Sequence, residues 1–384
     1  MPLSRRSLLQ SAALALPSLA GLHSARSSFA DDSTPGLITR QRTPENLEFP
    51  FATLKDWKTP NSRFFVRSHF YVPEIKAEDW SLRVEGHVER PFEIGLQELQ
   101  QTDPTTHTAL LECAGNGRVF LQPLLGGLRW EQGGVSNADW TGAPLGSLLE
   151  RAKVKPGAVD VILEGHDRKS LGPPSPPSGE IPFSRSISLE KARDPHTLLA
   201  WQMNGEELPP AHGYPVRAVI PGWYGMASIK WLKRIVVTDR PFDGYFQTFN
   251  YTIWERPEHG LPTLTPVTEM DVKSQIARPM SHETIAAGKP QRIFGAAWAG
   301  EPEIRKVEIS VDGGKTWSPA TLDEKSQPFA WRFFHYDWTN PASGDHTIMS
   351  RATDARGRTQ PMERDSNRRD AMITHVQPIA VHVR

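Results

Sequence analysis

A proline or a glycine stands at about every sixth position of this chain, 34 and 29 of them in 384 residues. Prolines remove backbone donors and break helix interiors, and glycines weaken them. A long-helix bundle is therefore excluded, and the chain reads as strand-rich and loop-rich. The length suits two or three domains, and 38% apolar residues suffice for real cores. Lysine plus arginine and aspartate plus glutamate are both 44, so no basic field invites nucleic acid; the expected partner is a small molecule or a protein.

The first thirty residues have their own character. Arg5 and Arg6 precede an apolar run from Leu8 to Leu22, and Ser28 and Ala30 offer a cleavage site before Asp31. Pro17 interrupts the run, which is short for a membrane span of roughly 20 residues. "SRRSLLQ" resembles a twin-arginine signal, which exports proteins already folded. Residues 1–30 thus read as a signal peptide and the mature protein as periplasmic, without a membrane anchor. Their removal takes Arg5, Arg6 and Arg26 and no acid, leaving the mature chain slightly acidic. Export folded points to a cofactor acquired beforehand.

Further on, "GAPLGSLLERAKVKPG" puts Leu145, Leu148, Leu149 and Ala152 on one helical face and stops at Pro156-Gly157. "VDVILEGHD" and "YPVRAVI" read as buried strands, and "ISLEKARDPHTLLAWQMNG" as a short helix followed by an apolar segment. "GPPSPPSGEIP", residues 172–182, reads as a surface loop because of Pro173, Pro174, Pro176 and Pro177. Residues 45 to about 255 therefore form one α+β unit. After "ERPEHGLPTLTP" the pattern becomes short alternating strands: Val307, Ile309 and Val311 before a Gly313-Gly314 turn, then "AWRFFHYDW", "HTIMSRATDARGRTQ" and "PIAVHVR". With no helix over this stretch, the C-terminal part is expected to be an all-β sandwich of immunoglobulin type, the boundary falling near 256–266.

Cys113 in "LLECAGNGR" is the only cysteine. It cannot form an internal disulfide, so packing, reactivity and metal ligation remain open for it. An apolar strand running into a glycine loop would display the thiol at a core edge, with Gly115 and Gly117 admitting close approach of a bound group. Backbone N–H groups and Arg118 would favour a thiolate. Trp130, Trp140, Trp201, Trp223, Trp231 and Trp254 crowd the same region; they are expected in the core, with Trp130 a candidate for the pocket wall.

"ECAGNGR" resembles the active-site segment of the sulfite oxidase family of molybdenum enzymes. "RFFVRSHFYVP" (63–73), "WEQGGVSNADWTGAPLGSLL" (130–149), "LLAWQMNGEELPPAHGYPVRAVIPGWYGMASIKWLKRI" (198–235) and "YFQTFNY" (245–251) resemble it too, in the same order. The resemblance spans nearly the whole mature chain and is strongest to bacterial periplasmic sulfite dehydrogenases. It implies an α+β molybdopterin-binding domain of sulfite oxidase fold over 31–260, then an immunoglobulin-like dimerisation domain over 261–384, and a homodimer. It implies that Cys113 ligates molybdenum and that Arg67, Arg118 and Tyr251 face the substrate. For the molybdopterin it implicates Phe65, Arg67, His69, Asp167, His212, Arg217, Ser228 and Lys230; His69 is alternatively a proton or substrate contact. Arg369, or equally Arg368, is a further anion-pocket candidate. Gly117 departs from eukaryotic members, which have an arginine there.

These residue types suit sulfite, a compact oxyanion that a forked guanidinium recognises. A phenol adds a hydrogen bond without another full charge. What the resemblance implies is oxidation of sulfite to sulfate at a molybdenum–molybdopterin centre, with electrons passed singly to a cytochrome c. The chain has no CxxCH, so a covalent haem is not expected in it and the acceptor is a separate protein or haem subunit. Two other readings remain: a sulfur-compound dehydrogenase or sulfoxide reductase of the same fold, and a non-catalytic periplasmic scaffold. Arg67 and Arg118 favour an anion over a neutral sulfoxide, and failure to bind any molybdopterin would favour the scaffold. The signal reading has its own test: N-terminal sequencing of the exported protein should begin at Asp31, and replacing Arg5 and Arg6 by lysine should leave the precursor unprocessed.

Overall fold

A computed structural model of the chain describes residues 36–171 and 179–384. The signal-peptide reading and the four prolines at 173, 174, 176 and 177 lie outside these residues. Two five-stranded sheets build the region around Cys113. In the first, Phe92–Gly95, Ser81–Gly86, Leu232–Thr238, Asp160–Ser170 and Glu180–Ser188 lie side by side. Ser81–Gly86 and Leu232–Thr238 run parallel, and the other neighbours are antiparallel. In the second, Glu206–Glu207, Leu198–Met203, Val135–Pro144 and Thr105–Glu112 follow in order, with Arg217–Val219 also paired to Leu198–Met203.

Among the described residues the α-helices are few and short: Leu96–Gln100, Leu145–Ala152 and Leu189–Arg193. The second matches the expected amphipathic segment, with Leu145, Leu148, Leu149 and Ala152 all buried. It stops at Lys153, which takes a left-handed conformation (φ 53°), before Pro156 is reached. The α+β expectation thus holds in a sheet-dominated form.

The 172–182 loop reading needs correction at its end. Glu180–Ser188 is a strand, and Pro182 is inside it, opposite Arg168. This strand is the outer one of its sheet. An edge position leaves the missing N–H of a proline facing no partner, so the ladder survives.

From Lys273 onward the chain forms two facing sheets. One holds Lys273–Arg278, Gln291–Trp298, Arg332–Trp338 and Thr321–Leu322; the other holds Glu283–Ile285, Ile379–Val383, Gly344–Asp354, Ile304–Ser310 and Ser318–Pro319. Ile293, Val307, Ile309, Ile348 and Val381 fill the space between them. The change of character near 256–266 falls on a hairpin, Thr252–Glu255 paired with Thr263–Pro266, rather than on an open linker. The two parts are joined by more than this hairpin. Trp57 and Trp331 each donate an indole N–H to the other's carbonyl, at 3.2 and 2.8 Å, and one apolar core runs from Phe51 and Leu111 to Trp298, Trp331 and Met372.

Leu149 is almost wholly buried on the helix face that covers this core. Leu149→Ala should cost about 2–5 kcal/mol of unfolding free energy, read from denaturant midpoints at unchanged slope.

Candidate active site

Cys113 follows the strand Thr105–Glu112, its N–H bonded to Gly134 O at 2.8 Å and its carbonyl accepting Asn116 N–H at 2.8 Å. It is nearly buried, at the wall of a cavity of about 680 Å³ counted to its mouth. Phe65, Arg67, His69, Asp167, His212, Arg217, Ser228, Lys230 and Tyr251 line the same cavity. Residues scattered over nearly two hundred positions converge because both sheets and the Phe64–Phe70 segment deliver their ends there.

That segment has no regular structure and is fixed by hydrogen bonds instead. Val66 and Leu47 exchange backbone bonds at 2.8 and 2.9 Å, and Asn46 Oδ1 accepts from Ser68 N at 2.9 Å and from Arg67 at 3.2 Å. Arg67 also donates to the Ser68 carbonyl. Asn46 thereby aims Arg67 into the cavity. Arg217 spends its guanidinium on the carbonyls of His212 (2.9 Å) and Ser228 (3.0 Å) and lies 4.9 Å over the Trp140 ring. Lys230 Nζ donates to Ser68 Oγ at 2.9 Å and Ala211 O at 2.8 Å. Ser228 Oγ accepts Ile220 N–H at 3.0 Å, so it braces the wall.

The electrostatics follow from burial. Arg217 is pushed down to about 9 by desolvation, and Lys230 falls well below its ordinary value by burial and then by Arg217. His212 is pushed down to about 3 by burial, with Lys230 and Arg217 adding to it. His69 is held neutral by burial and then by Arg67, Lys230 and Arg118. Asp167, the single carboxylate of the lining, is pushed up to about 7 by burial against the pull of Lys230. Such a pocket has more cation sites than carboxylates and stabilises an incoming anion.

Tyr251 Oη and His69 Nε2 are 2.6 Å apart. His69 stacks on Phe183 with centroids 4.3 Å apart, and burial raises the Tyr251 phenol above its ordinary value. Behind Tyr251 stands Arg185, fully buried, donating to the carbonyls of Phe246 and Val267 and 5.9 Å from the Tyr251 ring.

Arg118, expected to face the substrate, does not line the cavity. Its guanidinium donates to Asp370 O at 3.0 Å and Leu128 O at 2.9 Å, with the Asp370 carboxylate at 3.5 Å. It acts on His69 and Tyr251 through its charge. The glycines of the loop serve protein rather than ligand. A Cβ at Gly115 would lie 2.5 Å from the Arg118 guanidinium carbon, and one at Gly117 (φ 95°) would lie 3.1 Å from Ile373. Gly117 is therefore required by the approach of the C-terminal segment. Arg368 pairs with Asp271 at 2.6 Å, while Arg369 donates to Phe249 and Thr252 beside Tyr251; neither lines the cavity. Trp130 is core, edge-on to Phe65 at 6.1 Å.

Several contributors escaped the sequence reading, among them Ser68, Trp231, Phe183, Arg185 and Asn46. Trp231 lines the cavity, and its place directly after Lys230 in "ASIKW" is the signal that could have pointed to it. Phe183, Arg185 and Asn46 come from segments with no distinctive spacing.

The lining fits a molybdopterin. It offers one soft thiol, the cationic side chains Arg67, Arg217 and Lys230 for a phosphate, and largely apolar and aromatic walls in a buried space. An oxidoreductase molybdopterin binding domain matches residues 69–246 and a Mo-co oxidoreductase dimerisation domain matches 265–383, which defines a molybdopterin oxidoreductase. Sulfite oxidase of Gallus gallus is 34% identical over 357 residues, covering 88% of this chain and 76% of that protein. The sulfane dehydrogenase SoxCD structure from Paracoccus pantotrophus superimposes with a TM-score of 0.76 at 30% identity, covering 89% and 86% of the two chains. The NADH nitrate reductase of Cichorium intybus is 32% identical over 316 residues, covering 74% of this chain and only 33% of its own length. The chain belongs to the sulfite oxidase family of molybdenum oxidoreductases.

His212 gives a stability test. The unfolded chain takes up the histidine proton near pH 6.5 and the folded chain only near 3. Unfolding therefore binds a proton in this window, and stability falls with acid, by about 4 kcal/mol for this group alone. In the cofactor-free protein, His212→Gln should flatten the decline of melting temperature between pH 6.5 and 3.

Proposed function

We propose that this protein oxidises sulfite to sulfate and hands the electrons singly to a cytochrome c or a haem subunit. The balanced reaction takes sulfite and water to sulfate, two protons and two electrons. The observation that carries the reading is a lone thiol sharing a cation-rich cavity with Arg67 and the Tyr251–His69 pair. Bound there through Cys113, a molybdenum–molybdopterin supplies the two-electron couple and the oxygen-transfer chemistry. Arg217, Lys230, His212 and Asp167 hold the pterin end.

The chain's own residues do the rest. Arg67, pre-aimed by Asn46, binds the substrate oxyanion with no reorganisation at the moment of reaction. Neutral His69 has two tautomers. With the proton on Nε2 it donates to Tyr251 Oη, which frees the phenol O–H to donate to the anion. Arg118 and Arg185, buried at the margin, add fixed positive charge. Phe183 and Phe65 exclude water around these groups. The reading of residues 1–30 as an export signal would put the site of action in the periplasm, and the dimerisation domain supports a homodimer.

The likeness to a sulfane dehydrogenase supports a second reading, a dehydrogenase of another sulfur compound working with a partner subunit. Steady-state assays with a cytochrome c, comparing sulfite, a persulfide and nitrate, separate the readings. Sulfite should be turned over, Cys113→Ser should abolish turnover, and Arg67→Met should raise KM for sulfite about 10- to 100-fold. Molybdenum-loaded protein inert to sulfite but active on the persulfide would overturn the substrate while leaving the family intact.

A further inference from the structure

The residue before the thiol is a buried carboxylate that the C-terminal sandwich grips. Glu112 Oε1 accepts from Lys273 Nζ at 2.8 Å and from Asn116 Nδ2 at 3.0 Å, and Oε2 accepts from Trp298 Nε1 at 2.9 Å. Lys273 Nζ also donates to Asn116 O at 3.2 Å. Lys273 and Trp298 face each other across two antiparallel strands of the sandwich, so one cross-strand pair holds the carboxylate. Asn116 passes the constraint on: its Oδ1 accepts Gly134 N–H at 3.0 Å, and Gly134 O accepts the Cys113 N–H at 2.8 Å. On the far side of the loop Met372 N–H donates to Ala114 O at 2.7 Å.

An ion pair 2% exposed on both sides is poor evidence of a stability device. Apolar replacements of such pairs are often neutral or stabilising, whereas a fully hydrogen-bonded charge fixes position. Here the bonds that Lys273 and Trp298 donate all end on Glu112 and Asn116, which flank Cys113.

We propose that the Lys273–Trp298 pair of the C-terminal sandwich positions the Cys113 loop, so that the sandwich sets the geometry in which the thiol is presented to the cavity. Lys273, Trp298 and Glu112 are positioning residues and touch no substrate. The consequence at the metal rests on the reading of Cys113 as its ligand; the positioning does not.

Two readouts separate them. Cys113 is the sole thiol, so the iodoacetamide alkylation rate of the cofactor-free full-length chain reports this loop alone. In the holoprotein, the paramagnetic signal of half-reduced molybdenum reports the ligand geometry. Lys273→Met strands a buried carboxylate and is destabilised, so the neutral pair Glu112→Gln with Lys273→Met carries the test if the single variant does not fold. Alkylation should be several-fold faster, the metal signal should shift, and kcat should fall about 10- to 100-fold with KM held. Trp57→Phe cuts a different bond between the two parts and should lower the melting temperature without moving either readout. Unchanged alkylation and metal signal in the neutral pair, or equal shifts in Trp57→Phe, would overturn the proposal. Faster alkylation with an unshifted metal signal would support the positioning and remove Cys113 from the metal.

Discussion

Burying arginine, lysine and histidine around one cavity with a single carboxylate among them is the constraint on which the Cys113 region depends. Desolvation pushes Arg217 down, and with the neighbouring cations it drives His212 and Lys230 the same way. The fold answers with backbone: carbonyls of Ala211, His212 and Ser228 receive the donors, and aromatic rings of Trp140 and Trp231 cover the charges. What these partners cannot supply is negative charge. The cavity is complete only in electrostatic terms once an anion enters, and both the pterin phosphate and an oxyanion substrate meet that need.

The same logic separates what each arginine does. Arg67 keeps donors directed at the cavity because an amide side chain, Asn46, fixes it from the side. Arg118 and Arg185 are committed to carbonyls outside the lining and act at a distance. Guanidinium groups that look equivalent in sequence thus divide into one that faces the cavity and two that lie outside it and shape its field.

The cavity lining was largely legible in the sequence because its residues sit in ordered motifs, and so was the helix at 145–152, whose apolar spacing is regular. Arg118 was misplaced because the five-residue offset from Cys113 says nothing of Asp370, which is distant in sequence and holds it. The strand around Pro182 was hidden by composition, since proline tolerance depends on edge position, a property of the sheet. Arg185 and Asn46 carry no pattern because a single buried side chain acting on backbone leaves no periodic trace. The all-β C-terminal part was readable from alternation, but its grip on Glu112 was not, since two strands had to be paired before Lys273 and Trp298 could meet.

The bond from Met372 to Ala114 bears on the order in which the protein is made. The thiol loop receives this backbone partner from a residue 258 positions further along the chain (372 against 114). Contacts of such sequence separation form late, after the intervening chain has been synthesised and closed. Any ligand that needs the finished cavity therefore meets a chain already made as far as Met372, and a chain cut before that residue loses a backbone partner behind its only cysteine.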